Sequence, residues 1–280
     1  MGRLVSVVVG VALLVIVLAP AEVLRAQQGS RFSVPFSDPS RPGTVRVNLL
    51  HSGITVKSTA GKEVVVLSRG RDVRTPPADS GGLRRLDPPA GVSIEEENNV
   101  LTIHGPWLSG PIDVEVEVPV RTNLVLRALT GDLLVEGVDG EIEATSMTGS
   151  IALTNVSGSV VAHANNGRIA ATIARVTPDR PMAFTAVNGN VDVTLPPAIK
   201  ADLKLRSNLG DVFSDFDVQL KPGAPPRPSG SRPPAGGAGT GWAGGHRIIA
   251  DRSIYGSVNG GGPLFELRTI NGNVYLRRGK

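Results

Sequence analysis

The side chains best suited to chemistry in this sequence are carboxylates that closely follow glycines. Asp132 follows Gly131, Asp211 follows Gly210, and Asp192 lies just beyond Gly189. In a chain that stacks on itself, such residues could align into an acidic ladder. A ladder of carboxylates can hold Ca²⁺, or act as acid and base on a glycosidic bond. The equivalent places after other glycines hold Glu141, Ser150, Ser159, Arg168 and Asn190. A row of such mixed type is what a solvated turn looks like, and the Gly-Gly-x-Gly-x-Asp pattern of calcium-binding nonapeptides is missing. His51, His104, His163 and His246 have no co-ligands near them in sequence, so no metal site is expected. Ser159 and His163 lie close together but without a nucleophile elbow. Gly260-Gly-Gly262 lacks the Lys-Ser/Thr and following helix of a phosphate loop and reads as a wide turn. Trp107 is expected to cap the core, and Trp242 is the candidate contact residue, with a ring face suited to a sugar. No catalytic, metal or cofactor site is therefore expected.

The elements that would position these residues are set by glycine spacing. Gly131, Gly140, Gly149, Gly158 and Gly167 recur every nine residues, and a fixed internal period outranks element-by-element reading. The second residue after each is Leu133, Ile142, Ile151, Val160 or Ile169; the fourth is Val135, Ala144, Leu153, Ala162 or Ala171. A spacing of two puts both on one face of a strand. A third apolar place, seven after glycine, holds Val138, Met147, Val156, then Asn165, then Ala174. The odd step between four and seven calls for a corner, at Glu136-Gly137, at Ser146 and its neighbour, or at Thr154-Asn155. A flat antiparallel meander would instead continue the alternation. Further turns are expected at Gly189, Gly210, Gly256 and Gly272, with the 167–189–210 steps marking successive full coils. Asn166, Asn188 and Asn271 are expected to bond from coil to coil. The fold class that follows is all-β, a single-domain β-solenoid with coils of about 18–22 residues.

Organisation and composition agree with this. Arg3, an apolar run from Leu4 to Leu18 and a cleavage site after Ala26 make residues 1–26 a signal peptide, or an uncleaved anchor that Pro20 and Glu22 interrupt. Either version takes the rest of the chain out of the cytoplasm, to the periplasm, the outer surface or the medium. Residues 27–43 read as an extended lead-in and 44–280 as the solenoid, broken by a polar, Pro-rich stretch at 69–91 and a Pro/Gly-rich flexible insertion at 221–245. The chain has no Cys, only 4% aromatics, and a net charge of +4. Its scattered cations, without interleaved aromatics, give no nucleic-acid groove.

The stretch DVEVEVPVRTNLVLRALTGDLLVEGVDGEIEATSMTGSI, with VNGNVDVTLPPAIKADLKLRSNLGDV and the closing YGSVNGGGPLFELRTINGNVYLRRGK, resembles the bacterial putative-adhesin family of domains of unknown function. The resemblance runs from about Val45 to Arg278 and implies a single-domain β-solenoid in an exported or envelope protein. The expected function is a non-enzymatic surface scaffold contacting an envelope protein or a glycan. The alternatives are a structural or sensory part of envelope homeostasis, and a carbohydrate-active β-helix enzyme. Membrane contact is expected only through an uncleaved N-terminal segment. Because each inward Ile, Leu or Val contributes roughly 1.5–3 kcal/mol, Ile151→Asp should abolish cooperative folding. A thermal melt whose midpoint stays within a few degrees would overturn this register.

Overall fold

The computed structural model describes residues 30–70, 92–105, 112–221 and 253–280. The segment at 1–26 expected to direct export, Trp107, Trp242, His246 and nearly all of the 221–245 insertion lie outside them. Every regular element described is a strand. Burial alternates along the strands, most of which form half of a coil while β11 spans both halves, and the coils stack mainly through parallel pairing into two facing columns around one core.

Along the first column run β5 (Ser93–Glu97), β6 (Val100–His104), β2 (Gly43–His51), β8 (Thr122–Thr130), β10 (Asp139–Thr148), the second half of β11 (Ile151–Asn166), β13 (Met182–Asn188), β19 (Leu264–Asn271), β15 (Ala201–Ser207), β18 (Ile254–Val258) and β17 (Gln219–Leu220). Along the second run β1 (Ser30–Pro35), β4 (Glu63–Gly70), β7 (Ile112–Pro119), β3 (Ile54–Thr59), β9 (Leu133–Glu136), the first half of β11, β12 (Ile169–Val176), β14 (Val191–Leu195), β20 (Val274–Arg278) and β16 (Val212–Ser214). Of the outermost strands, β5, β4 and β18 run against their columns, and β1 and β17 pair antiparallel to β4 and β18 and so run with them again. The lead-in at 27–43 thus includes a paired edge strand, β1.

Stacking puts like residues over like. In the first column Ile103, Val47, Leu126, Ala144, Ala162, Phe184, Leu267 and Leu205 follow in register, all buried. In the second, Val114, Ile54, Leu133, Ile151, Ile169, Val191 and Val274 do the same. Equivalent residues are 18 apart in the early coils, as between Asp132 and Ser150. They are 22 apart from Asn166 to Asn188.

At one corner the stack closes on glycines. A Cβ on Gly149 would lie 2.1 Å from the Gly131 carbonyl, one on Gly167 2.1 Å from that of Gly149, and one on Gly189 2.2 Å from that of Gly167. Gly131 sits in the same way on Ser52, Gly272 on Gly189 and Gly210 on Gly272. Gly140 and Gly158 stack at the opposite corner, over Thr122 and Gly140. Buried hydroxyls beneath the first corner donate to its carbonyls: Thr269 to Gly189 at 2.8 Å and Ser207 to Gly272 at 2.7 Å.

Several expectations are corrected. Gly210 does not stack on Gly189. The coil β19/β20 lies between β13/β14 and β15/β16, so the neighbour of Asn188 is Asn271, 83 residues on. Likewise β2/β3 lies between β6/β7 and β8/β9. Gly256 is no turn: it lies inside β18, opposite Leu203, where a Cβ would meet Val218 at 2.4 Å. The corners expected at Gly137 and Asn155 are present, with φ of 73° and 53°. Ser146 makes none, because β10 continues straight and buries Ser146 on its inner face. Met147 consequently faces outward, 44% exposed, whereas Val138 and Val156 are buried.

Gly272, at φ 145° with its Cβ position 2.3 Å from a carbonyl, should tolerate no side chain. Gly272→Ala should cost at least about 1–3 kcal/mol in urea unfolding. Gly53→Ala, with only ordinary contacts from 3.5 Å, should cost less than about 0.5 kcal/mol. Equal midpoint shifts would refute the close-approach account.

Candidate functional site

The polar residues beside the glycine corner hold the coils together. The Asn188 side-chain amide donates to the Asn166 side-chain oxygen at 2.8 Å, and that of Asn271 donates to Asn188 at 2.9 Å, the coil-to-coil ladder expected of these residues. One residue past the glycines runs a second row: Asp132, Ser150, Arg168, Asn190, Asn273 and Asp211, linked through the backbone. Asp132 accepts from the Ser150 N–H at 2.7 Å, Asn190 from Asn273 at 2.8 Å, and Asn273 from Asp211 at 3.0 Å. Asp132 and Asp211 therefore stand far apart in one row. Asp192 lies outside that row, on the outer face of β14, where Arg277 grips it at 2.8 and 3.0 Å. No acidic ladder forms. A side chain whose lone pairs cap the next coil has a structural role that stacking itself demands.

The other nominated residues are similarly placed. His51, His104 and His163 are exposed, and among the described residues no three His, Asp or Glu side chains gather as a metal site. Ser159 donates its hydroxyl hydrogen to the Pro181 carbonyl at 2.9 Å in the next coil. Gly260 and Gly261, at φ of 90° and 87°, form the turn from β18 to β19, which Asn259 ties to the Ile199 carbonyl at 2.7 Å.

Three surface features were not read from the sequence. On the outer face of the first column, Leu129 and Met147 are each 44% exposed and adjacent in register, with Val161 50% exposed on the next coil. At the last coil of the second column, Phe213 stacks on Tyr275 with ring centres 5.2 Å apart, and Arg277 lies over the Tyr275 ring. A half-open cleft of about 210 Å³ lies where β7 turns into β8, against the β3–β4 turn and the loop before β2. Phe36, Pro39, Pro42, Pro119, Arg41, Lys62 and Arg121 line it. No sequence motif joins these residues, because they come from three separate loops.

The loop wall of this cleft is held from two sides. Asp38 accepts from the Ser40 hydroxyl at 2.5 Å and N–H at 3.0 Å, and from Arg41 Nε at 2.7 Å. Its own N–H donates to Asn99 Oδ1 at 2.8 Å, and Ser37 donates to Glu96. The Ser40 hydroxyl, then Arg41, hold the Asp38 carboxyl down to about 2. A carboxyl depressed on folding supports the fold above its unfolded value of 3.8, and that support disappears as pH falls through about 2. The loop should stay anchored at pH 3, and in Ser40→Ala the Asp38 titration followed by NMR should move up towards 3.8. An unmoved midpoint would contradict the assigned bond.

Among known proteins, residues 109–224 match the family model Toastrack DUF4097. No curated protein matches the chain. Among solved structures, a putative cell adhesion protein from Clostridium sporogenes ATCC 15579 is 11% identical, with a TM-score of 0.43 over 90% of this chain and 100% of its own. A putative adhesin from Bacteroides fragilis NCTC 9343 is 10% identical, with a TM-score of 0.30 over 89% and 96%. The matched stretch runs from β7 to β17; β2/β3 and β19/β20, built into the same stack, fall outside it. The similarity to the Toastrack DUF4097 family thus spans residues 109–224, less than half of the chain.

Proposed function

We propose that this protein is a non-enzymatic, exported envelope or surface scaffold whose outer strand faces contact another protein or a glycan. The observation that carries this reading is the division of labour between the corners and the faces. Corner polar groups, including Asp132, Asn190 and Asn273, bond coil to coil, whereas the outer face of the first column exposes Leu129, Met147 and Val161. Leu129 and Met147, adjacent across two coils, favour contact with a second surface, and Val161 adds a separate exposed apolar point further along the strand. The export signal read from residues 1–26 gives the compartment in which that contact would occur.

Cell fractionation combined with cross-linking tests both parts. A photo-reactive residue at Met147 in the native cell should give a discrete cross-linked species in the envelope or medium fraction, and one at Thr194 on the other face should give none. Recovery of unprocessed protein in the cytosol would overturn the export assignment. Equal cross-linking from both positions would overturn the assignment of the face.

A further inference from the structure

We propose that the cleft between the loop before β2, the β3–β4 turn and the β7–β8 turn binds the anionic group of an acidic saccharide, with Lys62 and Arg121 as its cationic contacts. Three cations line this cleft, and their partners differ. Arg41 is tied through Nε to Asp38. Lys62 and Arg121, both exposed, make no ion pair or hydrogen bond among the described residues. The nearby carboxylates already have partners: Asp38 accepts from Ser40 and Arg41, Glu96 from Ser37, and Glu63 from Ser33. Two cations without carboxylate partners on one concave surface form an oxyanion site, and a guanidinium can grip such a group through two parallel N–H bonds.

The walls select the bearer of the charge. At about 210 Å³ the cleft is smaller than a pocket for a drug-sized ligand, so it suits a single charged ring. Pro39, Pro42 and Pro119 offer saturated ring faces suited to the C–H face of a sugar. A peptide adding as a strand would need a row of open backbone groups. Here the Ser40 N–H goes to Asp38, the Gly61 N–H to Thr59, and the Thr44 N–H to the Asn99 carbonyl. The wall is also preorganised. Asn99, buried at φ 66°, braces the loop by accepting from the Asp38 N–H and donating to the Arg41 carbonyl at 3.4 Å, so little ordering cost remains on binding. Turn residues Gly61 and Lys62 and the β7–β8 corner, where Thr122 donates to the Pro119 carbonyl at 2.7 Å, complete the rim.

This inference rests on the contact-scaffold reading and names a ligand class for it. The test titrates the full chain by calorimetry with oligogalacturonate, neutral maltooligosaccharide and oligo-aspartate, at low and at physiological salt. Oligogalacturonate should bind in preference to both others. Lys62→Gln with Arg121→Gln should weaken it about tenfold or more without moving the melting midpoint. Arg127→Gln, which removes an exposed arginine paired with Glu143 on the outer face, should leave binding unchanged. No binding of oligogalacturonate, or equal loss in the Arg127 variant, would overturn the site. Binding of oligo-aspartate at equal or greater strength would assign a peptide and overturn the saccharide. Each of these failures would leave the cross-linking at Met147, on a different surface, to decide the scaffold reading separately.

Discussion

Everything in this molecule depends on how closely one coil approaches the next at the glycine corner. Parallel strands stack at roughly 4.8 Å, and at a tight corner the backbone of each coil rests on the carbonyl of the one below. A side chain would place its first carbon about 2 Å from that oxygen, so from Gly131 onward the corner residue of each stacked coil is glycine, while Ser52 occupies the coil below Gly131. Once the corners are fixed, the alternation within each strand decides what is buried. The next residue along is then left to cap the N–H of the neighbouring coil. Glycine column, apolar rows and polar caps are thus three results of one spacing.

That dependence explains what the sequence discloses. From Gly131 to Gly167 the coils that touch are also successive in the chain, so a local period reports a spatial stack. Beyond Gly189 this link fails. The step to Gly210 has nearly the same length, but the space between the two coils is filled by residues around Gly272. Met147 and Ser146 were misplaced for a smaller reason. Two kinds of nonapeptide alternate, one bending at Gly137 or Asn155 and one running straight, and a shared glycine period conceals the difference. Gly256 shows the converse: a glycine required by a neighbouring valine in mid-strand looks like any turn glycine.

The candidate sites divide along the same line. Residues that looked chemical because they repeat, such as Asp132, Asp211 and the asparagines, repeat because the coils do. Residues that converge without repeating, Arg41, Lys62 and Arg121, leave no periodic trace. In a stacked fold, a periodic polar residue points to architecture, and a ligand site is better sought where the period is broken, at the ends and loops.

The interleaved coils also bear on how the chain is made. A stack laid down in chain order could grow one course at a time behind the ribosome, each course docking on a finished surface. Here β15/β16 emerges before the course it must rest on, and the joint is completed only when β19/β20 has been synthesised and taken its place between them. The same holds at the other end, where β2/β3 waits for both of its neighbours. Contacts that distant along the chain slow assembly, because the intervening loop must close before any bond rewards it. Only β19/β20 is a late keystone, made after both of the courses it joins; β2/β3 is made first and is enclosed by courses that follow it.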